Sequence, residues 1–147
     1  MLGVYDKNLL STFSHVAKNL DMEHVLVVHG DDGLDEISVT SETSISELKD
    51  MQIKEYKISP TDFGLDFGTF EAITAQSSEE SLKMVNEAFA GTKSSIQDMI
   101  ALNAGAALYI ANKVTSISDG VELAFDLMNS GKAAEKLNAY VNASNNL

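Results

Sequence analysis

Four consecutive aliphatic residues, Val25-Leu26-Val27-Val28, lie between His24 and His29. A half-buried strand alternates apolar and polar residues, but this run has no polar face. Both of its sides must therefore be covered, which asks for a sheet with helices above and below it. The flanking sequence supplies candidates. Leu9, Leu10, Phe13, Val16, Ala17 and Leu20 recur at three- and four-residue spacing behind Asp6, which predicts a helix with Asp6 as its cap. Glu36–Thr40 alternates, with Ile37 and Val39 opposite Ser38, and reads as a half-buried strand. Ser41–Asp50 reads as a turn with a short helical piece around Ile45 and Leu48. Ile53–Ile58 alternates again and is stopped by the only proline, Pro60. Thr61–Ala75 is irregular and carries Phe63, Phe67 and Phe70, a cluster that reads as local core.

Everything after residue 76 is helical in pattern. Ser77-x-x-Glu80 is a capping box, and Leu82, Val85 and Phe89 follow it until Gly91. Ser95 opens a longer helix whose Ala101, Ala104, Gly105, Ala106 and Ala111 let a neighbour approach closely. Ser116-x-x-Asp119 opens a third helix that ends near Gly131, and Ser130 starts a last one with Ala134, Leu137 and Val141. The expected fold is α/β: about three strands within residues 24–58, packed with four to six helices, the C-terminal ones over about 77–142. Three short strands make a thin sheet for so many helices. The expectation is one partial α/β domain over residues 1–147, with its sheet completed by something outside this sequence.

Composition narrows the function. The 147 residues carry 10 basic and 22 acidic side chains, a formal charge of −12. Such a chain is a poor partner for nucleic acid or an anionic membrane. Cysteine is absent, so there is no disulfide framework, thiolate metal site or cysteine nucleophile. The longest apolar runs, Val25–Val28 and Gly105–Ala111, fall far short of the ~20 residues of a membrane span. Nothing at Met1–Asp6 resembles a signal peptide, and a cytoplasmic location is expected.

The sharpest local feature is His29-Gly30-Asp31-Asp32-Gly33-Leu34-Asp35-Glu36, which sets four carboxylates just beyond the buried strand. Ligands of α/β folds collect at the carboxyl ends of strands. Oxygen-rich clusters suit hard cations, and Mg²⁺ favours one or two carboxylates beside a phosphate. On residue chemistry alone a solvated acidic turn, with two glycines for positive φ, is the plainer reading. Fully extended, Asp35 and Glu36 would point to opposite faces, so both reach one cation only if the loop turns there. An EF-hand is excluded, because Glu36 occupies its glycine position counted from Asp31. Gly91-Thr92-Lys93-Ser94 lacks the pattern of a phosphate loop. His24 and His29 are five apart on one strand and cannot share a metal. His29 is the histidine that abuts the acidic loop.

Several blocks in order carry a family resemblance. Leu2-Gly3-Val4-Tyr5-Asp6, Val27–Ser38, Ser59-Pro60-Thr61-Asp62-Phe63-Gly64-Leu65, Leu102-Asn103-Ala104-Gly105-Ala106-Ala107-Leu108-Tyr109, Gly120–Ala124 and Asn129-Ser130-Gly131 resemble anthranilate phosphoribosyltransferase. The resemblance covers essentially the whole chain, with His-Gly-x-x-Gly-Leu-Asp-Glu its most specific block. It implies the C-terminal part of an α/β domain of the type shared with nucleoside phosphorylases. It implies transfer of phosphoribosyl from phosphoribosyl pyrophosphate (PRPP) to anthranilate in tryptophan biosynthesis, with Mg²⁺ held at the positions of Asp35 and Glu36. Gly30 and Gly33 would shape that loop. This reverses the preference for a plain acidic turn.

No general base or nucleophile is assigned. The family's N-terminal helical domain and its Gly-Thr-Gly-Gly-Asp loop have no counterpart here, and its Leu-Gly-Val-Tyr lies mid-chain. The chain is therefore expected to be inactive alone and to need an upstream half, or to act within a homo-oligomer. A non-catalytic complementing or regulatory subunit, or a nucleic-acid-binding relative, are the alternatives.

Overall fold

A computed structural model describes residues 1–146. Four strands form one mixed sheet in the order β1-β2-β3-β4: β1 (Leu2–Gly3), β2 (His24–Gly30), β3 (Thr43–Lys49) and β4 (Gln52–Ile58). β1 runs parallel to β2, while β3 is antiparallel to both β2 and β4. Six helices accompany the sheet: α1 (Leu9–Asn19), α2 (Phe70–Ile73), α3 (Ser78–Phe89), α4 (Ser95–Ile110), α5 (Ile117–Asn129) and α6 (Lys132–Ser144). The α/β architecture matches the expectation from sequence. Among the described residues no helix is long and apolar enough to cross a membrane.

The aliphatic run explains the layering. Alternate residues of β2 enter two different cores. Val25 and Val27 pack with Val4, Leu10, Ala17 and Leu48 beneath α1. Leu26 and Val28 pack with Ile45, Leu102, Ala106, Val121 and Met128 beneath α4 and α5. On the α1 face, Ser46 donates a hydrogen bond to Ser14 (2.8 Å), satisfying a hydroxyl pair buried between strand and helix.

Four local expectations fail. Of the Phe63, Phe67 and Phe70 cluster read as local core, only Phe63 packs against the core, while Phe67 and Phe70 are exposed. Glu36–Thr40 is not a strand, although Ile37, Ser38 and Val39 are all buried. The main chain there bonds to side chains instead of a neighbouring strand: Ile37 N–H donates to Asn103 (3.0 Å) and Ser38 N–H to Thr43 (2.9 Å). The segment Ser41–Asp50, expected to turn, contains β3. Its Ser44, Ser46 and Glu47 are buried because other elements satisfy them, not because they are apolar. On α1 the helical spacing is right but the burial is not. Leu10, Ser14 and Ala17 face the sheet, while Phe13, Val16 and Leu20 stay exposed.

The caps follow the sequence with small shifts. Ser77, Ser94 and Ser116 each accept a hydrogen bond from a first-turn amide of α3, α4 and α5, so Ser94 replaces the expected Ser95. Gly131, at φ 78°, opens α6 in place of Ser130. Asp6 lies two residues before the first-turn boundary at Asn8 and accepts its amide (2.9 Å). The small-sided surface of α4 does meet a close neighbour. Gly105 of α4 lies directly against Gly120 and Val121 of α5.

Candidate functional site

The acidic segment begins where β2 ends, beside the end of the parallel β1. Gly30 N–H donates to the Leu34 carbonyl (2.8 Å) and Gly33 N–H to the Gly30 carbonyl (2.9 Å), which folds residues 30–34 into a tight turn. Gly33 holds φ 96°, a conformation that costs a side-chain-bearing residue free energy. Gly30 has no room for a β-carbon, which would sit 3.2 Å from Ser38 Cβ and closer still to the Asp32 carboxylate. The two glycines thus shape the loop, each for its own reason.

The four carboxylates divide into two pairs. Asp31 and Asp32 are structural. Asp31 accepts from Lys57 (2.6 Å) and from Ser44 (3.1 Å), and Lys7 stands 3.7 Å away. The Lys57 hydrogen bond, chiefly, holds its carboxyl below the usual range. Asp32 turns inward. One oxygen accepts from Leu34 N–H (3.2 Å), and the other takes the hydroxyls of Ser38 and Thr40. Burial works to raise its carboxyl, but these donors together outweigh it and keep it low.

Asp35 and Glu36 are both exposed, and neither carboxylate takes an ion pair or hydrogen bond among the described residues. Their backbone, by contrast, is tightly placed. A β-carbon on Gly3 would fall 2.6 Å from the Asp35 carbonyl carbon, so β1 can pass there only as glycine. One residue further on, Asn103 of α4 accepts from Ile37 N–H (3.0 Å) and donates to the Ile37 carbonyl (2.8 Å). Gly3 and Asn103 belong to the site and were not singled out as functional from sequence. The available signal for Asn103 was a lone amide within an otherwise small, apolar stretch of helix.

His29 is buried and its Nδ1–H donates to the Val4 carbonyl (2.8 Å), which ties β2 to β1 rather than to the acidic loop. His24 lies at the far end of the same strand and donates to Glu47 (2.9 Å). Among the described residues no three His, Asp or Glu side chains converge on one point. Any cation here must draw its remaining ligands from water or from another molecule. Two free carboxylates on a fixed backbone suit Mg²⁺, which keeps most of its shell for water and phosphate oxygens.

Comparison with known proteins gives a consistent result. Residues 1–134 match the family described as glycosyl transferase family, a/b domain. The anthranilate phosphoribosyltransferase of Vesicomyosocius okutanii subsp. Calyptogena okutanii is 41% identical over 144 residues, 98% of this chain and 42% of that protein. The enzyme of the same name from Alkalilimnicola ehrlichii is 43% identical over 141 residues, 96% of this chain and 42% of its own. The crystal structure of anthranilate phosphoribosyltransferase from Thermus thermophilus superposes with a TM-score of 0.87 at 32% identity, covering 96% of this chain and 41% of that one. The Saccharomyces cerevisiae enzyme in complex with PRPP and Mg shares the fold, with a TM-score of 0.87 at 22% identity, over 99% of this chain and 42% of its own. The chain spans about two-fifths of the length of the relatives it matches.

Proposed function

Because the chain belongs to the glycosyl transferase family, a/b domain, and aligns over nearly its whole length with anthranilate phosphoribosyltransferases, we propose that it is the C-terminal portion of such an enzyme. In this reading it contributes the magnesium-binding part of a site that transfers phosphoribosyl from PRPP to anthranilate, in the cytoplasmic synthesis of tryptophan. The observation that carries the reading is the division of the acidic loop. Asp31 and Asp32 are consumed internally, whereas Asp35 and Glu36 stand free at the carboxyl end of β2.

Asp35 and Glu36 would hold the cation. When bound, it supplies charge neutralisation for the pyrophosphate leaving group as the anomeric bond breaks and the anthranilate nitrogen bonds to the ribose. The chain's own residues fix and orient. Asp32 locks the turn from inside, Gly33 supplies its reversal, and Gly3 and Asn103 hold the backbone on either side of the acidic pair. The proposed reaction is one governed by positioning and charge rather than by a general base in this loop.

Two features support a shared site. The far edge of β1 carries no strand among the described residues, and next to it lies an apolar groove of about 370 Å³ lined by Met1, Leu2, Phe13, Val16, Leu20 and Met22. In addition, more than half of each relative's length lies outside the match. The remaining part of the family fold, covalently joined or supplied as a second chain, would extend the sheet there and cover the groove.

Loss of anthranilate fluorescence, with PRPP and Mg²⁺ present, tests this. Turnover is expected when the chain is mixed with the upstream segment of a relative, and not with the chain alone. In the mixture Asp35→Asn or Glu36→Gln should lower the rate by ~10²-fold or more, with the circular dichroism melt unchanged. Turnover by the chain alone, or a mixed rate indifferent to both substitutions, would overturn the proposal. Silence in both arms from a folded chain would leave a fragment or a non-catalytic module.

A further inference from the structure

We infer that Asn103 is a positioning residue for the Asp35–Glu36 pair, an inference that rests on the cation-binding reading of that pair. Its side chain occupies both main-chain groups of Ile37, the residue immediately after Glu36. Its Oδ1 accepts from Ile37 N–H (3.0 Å), and its Nδ2 donates to the Ile37 carbonyl (2.8 Å) and to the Met99 carbonyl one turn back on α4 (3.0 Å). The amide orientation is forced, since flipping it would set donor against donor and acceptor against acceptors. The third bond ties the side chain to its own helix, so the fork is rigid before it meets the loop.

In a strand these two Ile37 groups would bond to a neighbouring backbone. Here one asparagine, 66 positions away, imitates that neighbour. A planar unit with one acceptor and one donor side by side is what the position needs. Leucine offers neither, and aspartate offers only the acceptor.

The consequence reaches the carboxylates. Ile37 is 1% exposed, and its side chain is locked in the core beneath α4 and α5. The Asp35 backbone is pressed against Gly3 on the other side. The Asp35–Glu36 segment is thus fixed at both ends by β1 and α4, and only its side chains remain free. A cation with few protein ligands gains most from such placement, because each ligand must be in position without help from the others. Outer partners that orient metal ligands are typically worth 10–100-fold in metal affinity.

The test uses the ¹⁵N-labelled chain with Mn²⁺ alone as the probe, reading paramagnetic broadening of amide signals beside amide exchange and the thermal melt. In the unaltered chain, the amides of residues 35–37 should broaden first and the Ile37 amide should exchange slowly. Asn103→Leu keeps the branching and heavy-atom count of the side chain, though its methyls are bulkier, and loses all three bonds. It should raise the Mn²⁺ concentration needed at residues 35 and 36 about ten-fold or more and speed Ile37 exchange. Asn103→Asp keeps the acceptor and loses the donor, and serves if the leucine variant does not fold; its loss should be smaller. A folded variant with a lowered melt but the same Mn²⁺ dependence would mean that Asn103 only stabilises, and would overturn the inference. Fast exchange of Ile37 in the unaltered chain would do so as well. No selective broadening at residues 35–36 in the unaltered chain would instead overturn the cation reading itself, and the inference with it.

Discussion

Gly105→Ala sets two effects of opposite sign against each other. In a helix interior, alanine is favoured over glycine by ~1 kcal/mol, because glycine loses more backbone freedom on folding. If propensity governed the site, the variant would be more stable. The geometry says otherwise. A β-carbon on Gly105 would lie 2.6 Å from the Val121 nitrogen and 2.8 Å from both the Gly120 carbonyl carbon and Val121 Cγ2. These are roughly 1 Å inside ordinary contacts of ~3.5–4.0 Å. Two of the three obstacles are backbone, so no rotamer change relieves them, and α4 and α5 must move apart. Their interface includes Ala101, Leu102, Ala106, Val121 and Ala124, all nearly fully buried. Overpacking of this kind costs ~1–3 kcal/mol, sometimes more, and the upper part of that range exceeds the propensity gain. The expected net loss is ~1–2 kcal/mol, or a fall in Tm of ~3–8 °C for a chain of this size. Gly120→Ala meets Gly105 in the same way from the other helix. Once the helices have separated for one methyl, the second costs less, so the double variant should fall short of the sum. Thermal and urea melts followed by circular dichroism measure all three. An unchanged or raised Tm for either single variant would show that the crossing is looser than described and that propensity wins.

Two further outcomes follow from the polar interior and the open face. At the end of the sheet away from the acidic loop, Glu47 accepts from His24 (2.9 Å), Tyr109 (2.8 Å) and Tyr56 (3.0 Å). Burial pushes its carboxyl up, but these donors together hold it below its ordinary value; Asp31 is lowered chiefly by Lys57, and Asp32, against its own burial, by Ser38, Thr40 and the Leu34 amide. The unfolded chain therefore takes up protons first on acidification. The stabilisation from these three groups is whole above about pH 5 and drains as pH falls through the ordinary carboxylate range and below it; Asp98, raised by burial, works in the opposite sense. Glu47→Gln should cost ~1–3 kcal/mol at pH 7 and flatten the acid limb of a Tm-against-pH curve; an unchanged limb would exclude Glu47 as a source. Val16→Asp, on the exposed side of α1, and Leu20→Asp, at its C-terminal cap, should leave the melt within ~0.5 kcal/mol yet abolish the rate gained by mixing with an upstream segment. Undiminished complementation would mean that this groove is not the contact.

Local patterns in the sequence captured what depends on neighbours in the chain. The aliphatic run at Val25–Val28 announced a strand covered on both sides, and two cores meet it. Ser77 and Ser116 marked helix starts because a cap is a contact between residues three apart. Patterns failed where distant residues supplied the partner. Ile37 and Val39 alternate as a strand would, but Asn103 and Thr43 take the backbone bonds a strand would have made. Ser41–Asp50 reads as a turn yet contains buried β3, because the partners of Ser44, Ser46 and Glu47 (Asp31, Ser14, His24, Tyr56 and Tyr109) lie elsewhere in the chain. The candidate site was legible as a cluster of four acids. Which two are occupied was not, since that depends on the β3 and β4 residues Ser44 and Lys57 and on the inward turn of Ser38.

Charge then limits what this chain can do with its proposed substrate. It contains no arginine, so all ten basic residues are lysines, against 22 carboxylates. Arginine is the usual means of gripping a phosphate or a carboxylate in two places at once. Beside the acidic loop the lysines are already engaged: Lys57 bonds to Asp31 and Glu42, and Lys7 faces Asp31. Releasing them would leave those acids unpaired around an anion, which is the wrong sign of field for PRPP. Under the proposed function, a cation on Asp35 and Glu36 would be the means by which this loop meets a pyrophosphate, and the rest of the family fold would supply further positive side chains. The acidic loop and the open apolar groove are in this sense two halves of one argument. Under the proposed function the first calls for an electropositive counterpart, and the second is the face on which that counterpart would join the sheet.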